Sequence, residues 1–166
     1  MGLLDNGAKT SKKGDITDIP CDYCFYDLFR GSTGISNVDE DFLPATNLKI
    51  SCYDGMFYQC TSLTNAPKLS SMNLAVSCYQ HMFNGCASLT TAPELPATTL
   101  ADNCYSWIFY GCKKINSFKI AYTGDYDSTY FDGWVNGVVS SGIFYYNGEY
   151  TVTNFGFPSD WKIQKF

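Results

Sequence analysis

A single interval of 26 residues constrains this chain more than any other feature. It separates Cys52, Cys78 and Cys104, and again Cys60, Cys86 and Cys112. Phe57, Phe83 and Phe109 keep the same step, as do Met56, Met82 and Ile108. So do Leu63, Leu89 and Ile115, then Leu48, Leu74 and Leu100, then Leu43, Leu69 and Leu95. A worn copy runs from Cys24 through Phe29, Gly31 and Ile35, with two extra residues before Leu43. A unit of this length cannot bury its apolar side alone, whereas stacked copies share one continuous core. Identical side chains are therefore expected to lie over one another in columns.

The local reading follows from spacing. Cys52, Met56 and Phe57 stand at i, i+4 and i+5, one face of a short helix. Gly85 and Gly111 come just after it, where a helix end accepts a left-handed residue. The S-L-T-x-A-P stretch reads as a short extended run closed by Pro67 or Pro93. From about Asn116 the period fails. Ile143–Tyr150 alternates around Asn147-Gly148, a hairpin signal. Phe131, Trp134, Val135 and Val138 have helical spacing, and Trp161, Ile163 and Phe166 suggest a final strand.

The string Met82-Phe83-Asn84-Gly85-Cys86-Ala87-Ser88-Leu89-Thr90, with its copy Met56–Thr64, resembles the core of the BspA-like leucine-rich repeats of bacterial surface proteins. The likeness covers about residues 20–121, departing at Gln59, Ser32 and Ile108. The Trp134-Val135-Asn136-Gly137-Val138 and Gly156-Phe157-Pro158 strings are similar to tails that follow such repeats in Bacteroides-type proteins. The resemblance implies an α/β fold: a right-handed leucine-rich-repeat solenoid of about four coils, each with a short helix and a short parallel strand, closed by a small C-terminal α+β cap. Residues 1–14 are expected to be a flexible arm, 15–121 the solenoid with a degenerate first coil, and 122–166 the cap. The resemblance further implies display on gut bacteria or their phages, with roles in adhesion or recognition.

Composition narrows the partners. A net charge of −5 argues against a nucleic acid, which is held by neutralising phosphates. No apolar run approaches the length of a membrane span, so no membrane insertion is expected, and no signal peptide is visible at Met1–Gly7. Charged residues make up only 16%, which leaves a surface of neutral polar groups suited to outer and contact faces.

The columns also bound the chemistry. Cys52, Cys78 and Cys104, with Cys24, form one column, and Cys60, Cys86 and Cys112 form another. These are expected as buried thiol ladders, with disulfides as the alternative for a secreted chain. Cys21-x-x-Cys24 is half a zinc ribbon without its second half. Asp125-Tyr126-Asp127-Ser128-Thr129 lacks the glycine and terminal glutamate of a calcium loop. No metal and no cofactor are expected. His81, the only histidine, has no nominated nucleophile beside it, so no catalytic residue is assigned.

The remaining columns form surface. Thr64, Thr90 and Asn116, beside Asn65, Thr91 and Ser117, give polar ladders. Tyr53, Tyr79 and Tyr105 give an aromatic column, either packing with the hydroxyl at the rim or offering contact area. Tyr58, Asn84 and Tyr110, like Lys68, Glu94 and Ile120, occupy positions whose identity changes from unit to unit. The expected partner surface is thus Tyr53, Tyr79, Tyr105, Thr64, Thr90, Asn116, Tyr58 and Tyr110. The structural ladders are the two cysteine columns with Phe57, Phe83, Phe109, Leu63 and Leu89. The expected role is non-enzymatic recognition of a protein or glycan on a cell surface. A structural part of a phage virion, acting through other virion proteins or self-association, is the alternative.

Overall fold

In the computed structural model, residues 17–149 and 151–166 are described, so the arm expected at 1–14 lies outside the described residues. The chain forms layers, each built on an unbroken run of turns: layers one to four at 22–31, 50–59, 76–85 and 102–111. Within a layer, alternate N–H groups donate three residues back, as Asp54 to Ser51, Met56 to Tyr53 and Tyr58 to Gly55. The intervening N–H groups donate to the next layer: Tyr53 to Cys78, Gly55 to Gln80 and Phe57 to Met82. The backbone groups of each layer are thereby divided between its own turns and its neighbour.

Every fourth residue in these runs is left-handed. Tyr23, Asp27 and Gly31 have positive φ in layer one, and Ser51, Gly55 and Gln59 in layer two. Ser77, His81 and Gly85 follow in layer three, with Asn103, Trp107 and Gly111 in layer four. Each of them donates its N–H to the layer that follows, for example Ser51 to Val76, His81 to Ser106 and Trp107 to Asp132. These inter-layer bonds hold ordinary side chains in a conformation they otherwise avoid.

The expected leucine-rich-repeat solenoid is therefore not what forms. A helix needs consecutive right-handed residues bonded four back, and here a left-handed residue interrupts every four. Among the described residues, helix is confined to α1 (Ser128–Phe131) and a 3-10 turn at Val152–Phe155. Regular sheet among the same residues is confined to β1 (Ser117–Lys119), β2 (Ile143–Tyr145) and β3 (Lys162–Gln164), parallel in the order β1-β2-β3. Elsewhere the layers meet through isolated parallel bridges such as Asn37 with Asn65 and Asn65 with Thr91.

Side chains in the turn runs alternate two in, two out. Cys52, Tyr53, Met56, Phe57 and Cys60 point inward and are buried, while Tyr58 and Gln59 point outward. Phe29, Phe57, Phe83 and Phe109 stack face to face with centroids 5.4, 5.7 and 5.8 Å apart. Phe25, Tyr53, Tyr79, Tyr105 and Phe131 form a second stack at 5.6–6.3 Å. Leu63, Leu89 and Ile115 are fully buried beside them. The second cysteine column contributes hydrogen bonds as well as volume. Cys60, Cys86 and Cys112 each donate the thiol to a phenylalanine carbonyl of the preceding layer, Phe29, Phe57 and Phe83, at 3.1 Å.

Stacking continues beyond residue 121. Layer-four N–H groups donate to the carbonyls of Thr129, Tyr130, Asp132, Trp134 and Asn136. Phe144 pairs in register with Phe118, and Ile163 with Phe144. The hairpin expected around Asn147-Gly148 does not form, because Ile143–Tyr145 is parallel to both its neighbours. Asn147 instead ties down the end of the chain, exchanging hydrogen bonds with the backbone of Phe166 at 2.8 and 2.9 Å. Of the helix expected through Phe131, Trp134, Val135 and Val138, only the turn ending at Phe131 is helical, since Gly133 and Gly137 are left-handed. Phe155, Phe157 and Trp161 cover this last layer, with Trp134 Nε1 donating to the Phe155 carbonyl at 2.7 Å. No helix among the described residues is long and apolar enough to cross a membrane.

Candidate functional site

The aromatic column, which the sequence allows either to pack or to meet a partner, is internal. Tyr53, Tyr79 and Tyr105 are 3%, 1% and 0% exposed. Their rings are sandwiched between layers, and burial pushes their phenols well above the ordinary range. The Tyr105 hydroxyl is buried without a hydrogen-bond partner among the described residues. These residues hold the layers together and touch nothing outside.

The thiol columns are equally closed. Cys52, Cys78, Cys104, Cys60, Cys86 and Cys112 are free and buried. Burial pushes Cys52 up to about 11, and Cys104 and Cys112 up to about 12. A thiol held in its neutral form is a poor nucleophile and a poor metal ligand. Cys24 departs from its column by forming a disulfide with Cys21 at the exposed first layer. Among the described residues no group of His, Cys, Asp and Glu could hold a metal ion.

The polar ladders are largely self-satisfied. Thr64 Oγ1 donates to the Ser36 carbonyl at 2.9 Å and stands 3.0 Å from Asn37 Oδ1. Asn65 Nδ2 donates to Asn37 Oδ1 at 2.8 Å, and Thr90 Oγ1 to the Thr64 carbonyl at 3.3 Å. Thr90 and Asn116 are exposed and Thr64 half-buried. Much of this face's hydrogen-bonding capacity joins one layer to the next.

The outward side of the turn runs differs. Two columns lie there, Asp27, Gly55, His81 and Trp107, and Arg30, Tyr58, Asn84 and Tyr110; with Tyr26 and Asp54 they enclose a shallow groove of about 440 Å³. Gly55 makes the room: its φ is +64°, and an added Cβ would meet the Asp27 carboxylate lying across it. Gly133 does the same for Trp107, whose ring would come within 2.9 Å of a Cβ there.

The carboxylates of Asp27 and Asp54 are each engaged within the groove. Arg30 Nη1 meets Asp27 Oδ2 at 2.9 Å and places its guanidinium 4.1 Å from the Tyr58 ring centroid. His81 Nδ1 lies 3.3 Å from Asp54 Oδ1. Trp107 donates its indole N–H to Asp132 Oδ2 at 3.1 Å and packs against Tyr110 at 5.2 Å. The Asp27 carboxylate, and after it Asp54, raises the Tyr26 phenol above its ordinary value. Asn84 is only 8% exposed, and its side-chain amide has no hydrogen-bond partner among the described residues.

Of the expected contact residues, then, the structure gathers Tyr58 and Tyr110 into one concavity and leaves Thr64, Thr90 and Asn116 on another face. Tyr26, Asp27, Arg30, Asp54, His81 and Trp107 line the groove as well, and none of them is among the contact residues that the sequence suggests. Their signal is the converse of the repeat: inward columns keep one residue type, whereas these columns change at every layer. A second groove of about 380 Å³ lies between Thr91, Glu94, Lys119, Tyr145 and Phe166, where Lys119 pairs with Glu94 at 3.1 Å. Comparison of the chain with models of known families, with curated proteins and with solved structures gives no match.

Proposed function

We propose that this chain is a non-enzymatic recognition module, acting in adhesion, whose contact face is the groove spanning layers one to four. One observation carries the reading: the same layers that repeat cysteine, phenylalanine and leucine inside change residue at each step along the two outward columns of the groove. Those outward positions collect Tyr58, His81, Trp107 and Tyr110 in a single concavity. Tyrosine and tryptophan give large contact area at low entropic cost. The likeness of the repeat string to BspA-like surface proteins supports the same class of role, on a bacterial surface or a phage particle. Protein and glycan partners both fall within this reading.

Binding of fluorescently labelled chain to bacterial and epithelial cell surfaces tests it. The double variant Tyr58→Ala/Tyr110→Ala is expected to lose at least tenfold in surface binding, as hot-spot aromatics do, with its unfolding curve unchanged. Equal binding by the variant, or none by the parent chain, contradicts the reading.

A specific observation favours a second reading, a structural part of a phage particle acting through self-association. The layer-one carbonyls of Asp22, Cys24, Tyr26, Leu28 and Arg30 correspond to groups that accept inter-layer bonds in layer two. They accept no backbone hydrogen bond among the described residues. Beside them Tyr23, Leu28, Phe42 and Ile50 are exposed. Light scattering of the purified chain decides: a stable oligomer favours this reading and a strict monomer removes it.

A further inference from the structure

We infer that the groove takes a neutral oligosaccharide lying along the stack, with successive sugar rings meeting successive layers. The inference rests on the recognition reading above and names the ligand class for that same face.

Charge argues first. Asp27 is engaged by Arg30 and Asp54 by His81. An acidic sugar or phosphate would find no unpaired cation in the groove, where Arg30 already holds Asp27, and the Asp54 carboxylate already faces the His81 ring nitrogen. A neutral ligand leaves both pairs intact.

Hydrogen bonding argues next. The Asn84 amide carries donors and an acceptor and lines the groove without a protein partner, although the residue is more than nine-tenths buried. Its polar atoms still reach the groove's solvent, since they are not among the fully enclosed side-chain atoms that lack a partner, so they are open to a ligand. A sugar hydroxyl both donates and accepts, so it can satisfy either end of that amide. An extended peptide is a poorer fit. The N–H groups of Gly55, His81 and Trp107 are already spent between layers, so the floor offers no open edge for an added strand.

Ring geometry completes the case. Arg30 holds one face of Tyr58, and Trp107 lies on the surface that Gly133 leaves open. Both rings are thus fixed before a ligand arrives, as a stacking platform for the apolar faces of pyranose rings requires. The layers step by 5.4–5.8 Å along the phenylalanine column, close to the span of one pyranose unit. The volume falls in the range of small-ligand sites, while the shallowness implies weak binding that several displayed copies would strengthen.

The test is a titration of the full chain, 15N-labelled, with linear glucose and N-acetylglucosamine oligomers of increasing length. The expected result is a shift of the Asn84 side-chain amide and Trp107 indole signals, with affinity rising with oligomer length. Asn84→Leu is expected to weaken binding about tenfold, the scale of one hydrogen bond and its unpaired partner, with an unchanged unfolding midpoint. Tyr110→Ala, at an exposed position, gives the same readout should Asn84→Leu fail to fold. Absence of shifts with every oligomer, shifts confined to another face, or binding indifferent to both variants would each overturn the inference. Periodate oxidation of cell-surface glycans separates the two levels of the argument. Surface binding that survives oxidation yet is lost in Tyr58→Ala/Tyr110→Ala removes the saccharide and leaves recognition standing.

Discussion

Replacing Gly55 by alanine is expected to lower stability, although a helical reading of the same segment demands the opposite. Gly55 lies midway through the Cys52–Phe57 stretch, where a helix would gain about 1 kcal/mol from the exchange. In the structure its φ is +64°, and it donates to the Gln80 carbonyl of the next layer at 2.8 Å. An alanine held left-handed costs about 1–2 kcal/mol, offset by about 0.4–1 kcal/mol from the stiffer unfolded chain. The new Cβ would also displace the Asp27 carboxylate from its place against Arg30. The net expectation is a loss of about 1 kcal/mol or slightly more, or about 2–4 °C in Tm for a chain of this size. Urea and thermal unfolding followed by circular dichroism measure it, provided the denaturant slope stays constant. Ser77→Gly is the mirror experiment. At φ 53° it is expected to be neutral or mildly stabilising, where a helix would lose stability. A higher midpoint for Gly55→Ala together with a lower one for Ser77→Gly would refute the reasoning.

Three further outcomes follow from the same geometry. Phe83→Ala, fully buried between Phe57 and Phe109, is expected to cost about 3–5 kcal/mol in urea unfolding, and a loss under 1 kcal/mol would contradict the stacked core. Stability should fall as pH rises above about 9, because unfolded thiols ionise there while Cys52 stays neutral to about 11 and Cys104 and Cys112 to about 12. The folded state then binds more protons than the unfolded one, so the slope is negative, and a flat stability profile from pH 8 to 11 would sink this account. The Cys21–Cys24 disulfide closes only a short loop, so its reduction should cost about 2 kcal/mol or less by chain entropy and leave Trp134 and Trp161 fluorescence unchanged.

The interval joining Phe57, Phe83 and Phe109 was plain in the sequence, and these rings do stack. The conformation within the interval was not plain, because Cys52, Met56 and Phe57 fit a helical face and a two-in, two-out turn equally well. The deciding feature is the left-handed residue at every fourth position. It is occupied by glycine at Gly55 but by Ser51 and Gln59 on either side, so no single layer displays the pattern. Those residues adopt it because the neighbouring layer accepts their N–H groups, a tertiary cause invisible to local propensity. The same reason hid the continuation of the stack beyond residue 121, where Phe131 and Phe144 keep the step but the surrounding residues change. Tyr53, Tyr79 and Tyr105 were misleading through their hydroxyls, which suggest a rim position although the rings lie wholly between layers. Of the groove, the changing column Tyr58, Asn84 and Tyr110 was readable. Its neighbour Asp27, Gly55, His81 and Trp107 becomes a wall only once the four-residue period places the two columns side by side.

Through-hydrogen-bond couplings in the 15N,13C-labelled chain test the layered turns most directly, by identifying which carbonyl each amide meets. The account predicts that the amide of Gly55 couples to the carbonyl carbon of Gln80, and that of Phe57 to Met82. A Gly55 amide coupled to Ser51, four residues back as in a helix, would contradict it.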